Sequence, residues 1–217
     1  MKMKKLIIST LAVLALTATA HATDLPNKKK APEAPKAVAA EPAKPAASND
    51  SLSVSYGQDL GTNFGAKSAD TYSVTYKHNL GGGFSVSGVA STSQAANALL
   101  KQNLEAQVGY TLPLFAGISA TGAVGVGERF TTTNFPYYAL YGSTSYKLVD
   151  GLTVTPISYR YRNAFDVANA YESHRVGTGV TYDITSNYSI GVSVTRSYDT
   201  SWNATGDSIS GAFTVKF

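Results

Sequence analysis

The chain of 217 residues contains no cysteine. That excludes disulfides, thiolate metal sites and lipid attachment to an amino-terminal cysteine. Histidine is scarce: of three residues, His21 lies in a leader-like segment, and His78 and His174 are far apart in sequence. A histidine metal centre is not expected, and no residue is assigned as a metal ligand, cofactor contact or catalytic group. Long apolar runs are missing as well. The longest, Leu6 to Leu16, is shorter than the roughly 20 residues a transmembrane helix requires. There is little net charge. Of the formal +4, Lys2, Lys4 and Lys5 supply three charges, and beyond residue 50 ten Lys and Arg face ten Asp and Glu. A basic chain would ordinarily suggest nucleic acid; with most of the excess in the first residues, that partner class drops out. No G-x-S-x-G elbow, H-E-x-x-H, P-loop or G-x-G-x-x-G motif is present.

Residues 1–22 read as a secretory signal peptide. The three lysines form its positive region, Leu6 to Leu16 its apolar core, and Ala20-His21-Ala22 a small-x-small cleavage site. Residues 23–50 are a separate tail that holds Pro26, Pro32, Pro35, Pro42 and Pro45 and no glycine. Pro and Ala mixed with Lys and Glu cannot bury a core and favour extended, disordered chain. The tail is read as a solvated linker, with a periplasmic tether or a segment threaded into the following domain as functional readings.

From Ser51 to the last residue, apolar and aromatic side chains recur at every second position, which in a strand places them on one face. About ten such segments can be counted, of the length that crosses a membrane in a β-barrel; eight or twelve are alternatives. Leu52, Val54 and Tyr56 mark the first, and Ile209, Gly211, Phe213, Val215 and Phe217 the last. Short turn candidates at 78–83, 113–117, 147–151 and 183–187 alternate with longer links at 57–70, 91–102, 127–136, 163–173 and 199–206. One segment conflicts with itself. Leu152 and Val154 have one parity, Ile157, Tyr159 and Tyr161 the other, and Pro156 sits between; a β-bulge there restores a single apolar face.

Alternation alone does not say which face is wet. A soluble sandwich or barrel would give its polar face many Lys, Glu and Asp. Here that face carries mostly Ser, Thr and Gly, as in Ser51-x-Ser53-x-Ser55 and Ser189-x-Gly191-x-Ser193. No charge falls on the assigned apolar face, as expected where Lys or Arg at a bilayer midplane costs about 2–4 kcal/mol. Tyr56, Tyr72, Tyr76, Tyr110, Tyr138, Tyr146, Tyr182 and Tyr188 fall near segment ends, which suits interfacial girdles. The expected fold is an all-β, transmembrane, antiparallel up-and-down β-barrel spanning residues 51–217 in an outer membrane.

The ending I-S-G-A-F-T-V-K-F resembles outer-membrane β-barrel proteins, whose last strand carries alternating hydrophobics and a terminal aromatic. Phe213, Val215 and Phe217 fit, and the resemblance implies that they form the signal read by the barrel assembly machinery. The D-L-P segment followed by Lys and Pro after the leader is similar to small alphaproteobacterial barrels of the porin-like type. The S-Y-R-Y-R run at 158–162 resembles one strand of oligogalacturonate-type porins, which line their pores with arginines.

Omptin proteases use ten-strand barrels with paired acids and an Asp–His couple at the outer rim. Asp166, Glu172, His174 and Asp199 lie in or beside predicted outer loops, but the omptin motifs are not recognisable. Ser173 and His174 are adjacent and point to opposite faces of a strand. No enzyme is expected.

What remains is the lumen. Arg129, Arg160, Arg162 and Arg175 are candidate pore-lining residues towards the outer rim, with Glu105 on the same face and Lys77 and Lys147 towards the periplasmic rim. Positive side chains with little opposing acid favour anions. The expected function is a narrow passive, anion-preferring channel. The alternatives are an envelope-tethering barrel that reaches peptidoglycan through the tail, and a surface adhesin or receptor using loops such as that of Trp202. Expected partners are membrane lipid and lipopolysaccharide.

Overall fold

The structure, a computed structural model, describes residues 49–96, 98–169 and 171–217. The leader and all but the end of the tail lie outside the described residues. Ten strands follow one another: β1 (Asp50–Leu60), β2 (Lys67–Gly81), β3 (Phe84–Ala95), β4 (Lys101–Pro113), β5 (Ile118–Phe130), β6 (Phe135–Val149), β7 (Leu152–Ala164), β8 (Ser173–Asp183), β9 (Tyr188–Tyr198) and β10 (Ala204–Lys216). Each pairs antiparallel with its sequence neighbours, and β1 pairs with β10, so the sheet closes on itself. Among the described residues the only helical element is a 3-10 turn at Val167–Asn169.

Closure joins the two ends of the domain. Val54 stands opposite Phe213, and Leu52 opposite Val215. The Phe217 amide donates to the Asp50 carbonyl at 3.0 Å, and the Asp50 amide donates back at 3.2 Å. A closed barrel leaves no strand edge unpaired, which is what a sheet crossing lipid requires.

The apolar face points outwards. Val54, Val108, Val124, Val126, Leu140 and Val192 are exposed around the barrel, whereas the buried hydrophobics among the described residues are only Phe135, Tyr137, Ala139 and Ala164. A water-soluble protein of this size would bury its aliphatic residues; this one is turned inside out. Aromatic pairs sit towards the strand ends: Phe84–Tyr110 at 4.8 Å near one rim, Tyr56–Tyr72 at 5.2 Å and Tyr138–Tyr161 at 6.0 Å near the other. Hydroxyls pair on the inner face, as in Ser55–Ser73 at 2.6 Å, Ser119–Ser145 at 2.7 Å and Ser193–Ser210 at 2.7 Å.

The parity conflict in β7 is resolved by a bulge. Thr155 pairs with Gly179 and Ser158 with Gly177, so Pro156 and Ile157 together oppose Thr178. Thr178 Oγ1 donates to the Thr155 carbonyl at 2.9 Å. The extra residue keeps Val154 opposite Val180 and Tyr159 opposite Val176 on the outer face.

The long links are shorter than the alternation suggested. They occupy 61–66, 96–100, 131–134, 165–172 and 199–203, against turns at 82–83, 114–117, 150–151 and 184–187. Ladder hydrogen bonds need no apolar side chain, so the strands continue past the lipid-facing belt; Asp59, for instance, still pairs with Ser208. At the two-residue β2–β3 turn Gly82 and Gly83 have φ of 59° and 88°. L side chains rarely adopt that conformation, and a Cβ on Gly83 would also come within 3.0 Å of the Tyr110 ring.

Candidate functional site

Inside the barrel, the half nearer the long loops differs from the half nearer the short turns. The turn half is lined by small residues. A cavity of about 210 Å³ opens there against Thr155, Ser158, Gly179, Thr181, Ser193 and Ser210. Lys77 lies on the inner face of β2 in this half, opposite Ser51 and Ser87. Lys147 sits at the rim, exposed, with Nζ 3.0 Å from Asp150 Oδ1 in the β6–β7 turn.

The loop half is filled by a polar cluster. Glu105 of β4 stands opposite Gly127 of β5, which stands opposite Tyr137 of β6. The two neighbouring inner-face glycines make room. A Cβ on Gly125 would meet Glu105 Oε1 at 2.6 Å, and one on Gly127 would meet the Tyr137 ring at 2.7 Å. Only 6% of Glu105 and none of Tyr137 is exposed. The carboxylate accepts from Tyr137 Oη (2.8 Å), Gln107 Nε2 (2.8 Å), Arg162 Nη2 (2.7 Å) and Tyr141 Oη. A buried carboxylate needs this many donors, because its charge is otherwise uncompensated.

Tyr171 closes the cluster from above. It belongs to the β7–β8 loop, which turns inwards so that Arg129 Nη1 donates to its hydroxyl at 2.7 Å and Arg162 Nη1 at 3.2 Å. Arg129 also lies over the ring, 4.5 Å from its centroid. Phe135 and Tyr137 meet the same ring at 5.2 and 5.5 Å. Burial acts to raise the Tyr171 pKa, but the positive charges of Arg162 and Arg129 outweigh it, and the hydroxyl ionises below the usual tyrosine value.

Arg160 and Arg175 stand opposite each other on β7 and β8. Arg175 Nε donates to Ser197 Oγ at 3.1 Å. The Nε atoms of Arg160 and Arg162 are buried without a hydrogen-bond partner. Asp59, the other acid facing this half, accepts from Thr71 at 2.8 Å and Ser93 at 3.5 Å. The structure thus brings Arg129, Arg160, Arg162, Arg175 and Glu105 together and leaves Lys77 and Lys147 towards the opposite rim.

Several members of the cluster were not singled out in the sequence. Phe135, Tyr137 and Tyr141 could have been: in F-P-Y-Y-A-L-Y they have the parity opposite to the lipid-facing Tyr138 and Leu140. Tyr171 carries no such signal, because a loop has no period.

His174, by contrast, faces outwards. Its Nδ1 is 2.8 Å from Tyr159 Oη, its Nε2 3.9 Å from Glu172, and Trp202 stacks on it at 4.5 Å. Asp199 beneath this loop accepts from the Ser201 and Asn203 amides, both at 2.9 Å; the Asn203 amide foremost holds its carboxyl below the usual range. No group of three or more His, Cys, Asp or Glu suited to a metal occurs among the described residues.

A closed barrel with lipid-facing aliphatics, aromatic rims and a polar, arginine-rich interior defines an integral β-barrel of the outer-membrane type. No protein-family model matches the chain, and no curated protein does. Among solved structures it is similar to an outer membrane channel from Pseudomonas putida F1, at 8% identity and a TM-score of 0.52, over 83% of this chain and all of that one. The KdgM porin aligns at 13% identity over 77% of this chain and 99% of its own, with a TM-score of 0.45. The NanC porin aligns at 10% identity over 76% and 98%, with a TM-score of 0.46. At these identities the likeness is one of fold.

Proposed function

We propose that this protein is a narrow passive channel of the outer membrane that prefers anions. The observation that carries the reading is the lumen of the loop half, where four arginines share two acids, Glu105 and Asp59. Positive side chains at a constriction lower the barrier to anions and raise it for cations. The small hydroxyl-lined turn half supplies a wide approach, and the barrel fold suits a channel. Tyr171 stands across the path, so the conductance is low and depends on the β7–β8 loop.

A second reading rests on the same packing. A lumen closed by Tyr137, Phe135 and Tyr171 suits a structural or envelope-tethering barrel that does not conduct, with residues 23–50 reaching peptidoglycan after removal of a 22-residue leader. Lipid, lipopolysaccharide and the barrel assembly machinery are partners under either reading, the last through Phe213, Val215 and Phe217. The adhesin alternative is supported only by the exposure of the Trp202 loop.

Single-channel recording in planar bilayers separates the readings. The refolded chain should conduct and show a reversal potential displaced towards the anion side, and Arg160→Ala and Arg162→Ala should reduce that displacement. Silence from a barrel shown to be folded, with Tyr171→Ala silent as well, would leave the structural reading.

A further inference from the structure

We infer that the lumen holds a discrete binding site for one small oxyanion, a carboxylate, sulfate or phosphate, between Arg160 and Arg175 with Arg162 Nε at its edge. This goes beyond the channel reading and stands without it.

Arg162 and Arg129 of the loop half already have hydrogen-bond partners in the cluster. Arg162 directs Nη2 to Glu105 and Nη1 to Tyr171, and Arg129 directs Nη1 to Tyr171. Glu105 in turn is saturated by four donors. Arg160 and Arg175 are different. They are directly opposed in register on adjacent strands, an arrangement in which like charges repel. Neither belongs to an ion pair among the described residues. Arg175 has one neutral partner, Ser197, and Asp59 reaches it only through space.

Two donors are left over. Arg160 Nε and Arg162 Nε are buried without partners, and they lie on the same face of β7 two residues apart, roughly 6–7 Å along the strand. A buried N–H without an acceptor is costly, and a guanidinium without a counter-charge more so. One oxyanion remedies both. It supplies acceptors to the leftover donors and negative charge between the facing guanidinia. The guanidinium fork matches two oxygens of one anion, so the site favours oxyanions over chloride.

The test is calorimetric titration of the full refolded chain in zwitterionic micelles with inorganic sulfate and then phosphate, against chloride at equal ionic strength. The expected result is saturable binding of one oxyanion per barrel. Arg160→Gln and Arg175→Gln should each weaken it by about tenfold or more, the factor for losing one charge-assisted hydrogen bond. Lys147→Gln, at the exposed turn, should leave it unchanged. Arg160→Lys guards against misfolding, since it keeps the charge but loses the fork; it should bind more weakly than the native chain. In the absence of oxyanion, Arg160→Gln should unfold at the same or a higher temperature than the native chain, and sulfate should raise the native midpoint but not that of the variant. Absence of saturable binding in the native barrel overturns the site, as does binding undiminished in both glutamine variants; water would then satisfy these donors. Conductance recorded on the same preparations is a separate readout, so a barrel that binds sulfate but is silent keeps the site and sinks the channel.

Discussion

Glu105 and Arg162, 57 residues apart in sequence, meet inside the barrel with Arg162 Nη2 2.7 Å from Glu105 Oε2. Their side chains are only 2% and 12% exposed. Breaking such a pair from the acid side leaves a guanidinium without its partner and two tyrosine hydroxyls without an acceptor. Glu105→Ala should therefore destabilise the barrel by about 3–5 kcal/mol, seen as a lower urea midpoint for loss of heat-modifiable folded protein. A variant as stable as the native chain would mean that the cluster contributes nothing net to the fold.

Tyr171 ties the β7–β8 loop to the arginines, and its depressed pKa gives the tie a pH dependence. For a group whose folded pKa lies below its unfolded value, the added stability is fully present above the unfolded pKa and is lost as pH falls through the folded one. The loop should accordingly hold more firmly as the phenol ionises, so conductance should fall on the alkaline side and Tyr171→Phe should abolish that fall. Phenolate absorbance should show one tyrosine titrating ahead of the rest in the native chain and none in the variant. Coincident titration curves would exclude the mechanism.

Gly127 is where the cluster is least tolerant. A Cβ there meets the Tyr137 ring at 2.7 Å and the Leu104 carbonyl closer still. Overpacking of this kind costs about 1–3 kcal/mol. Gly127→Ala should lower the urea midpoint, while Gly142→Ala, where a Cβ would meet nothing within 4 Å, should not.

Val192, 59% exposed at the middle of β9, faces lipid. Val192→Arg should cost about 2–4 kcal/mol in a bilayer and slow folding into vesicles. Its neighbour Ser193 faces the lumen, and Ser193→Arg should instead alter ion selectivity. Equal effects from the two would contradict the assigned faces.

Removal of Phe217 takes away the amide that bonds Asp50 across the seam together with the terminal aromatic. In cells the truncated chain should accumulate unassembled, read as protein that runs unfolded without heating. Normal assembly would mean that Phe217 is not part of the signal that directs assembly.

Much of this was legible because a barrel wall is periodic. Alternation from Ser51 to Phe217 marks each strand and its lipid face, since successive side chains of a strand point to opposite faces and only one of them meets lipid. Even the bulge at Pro156 shows as a change of parity. The loop boundaries were not legible, because ladder hydrogen bonds continue through residues such as Asp59 and Lys67 that carry no apolar signal. By itself, then, the sequence determined which residues face lipid and which face the lumen, and so the fold. Only the tertiary structure decided what the lumen does with its charges. Closure of the sheet brings β4, β6, β7 and β8 to one height, and the aperiodic loop folds Tyr171 inwards. Pairing Arg162 with Glu105 while leaving Arg160 beside Arg175 depends on strand register and on the room left by Gly125 and Gly127, which no local pattern encodes.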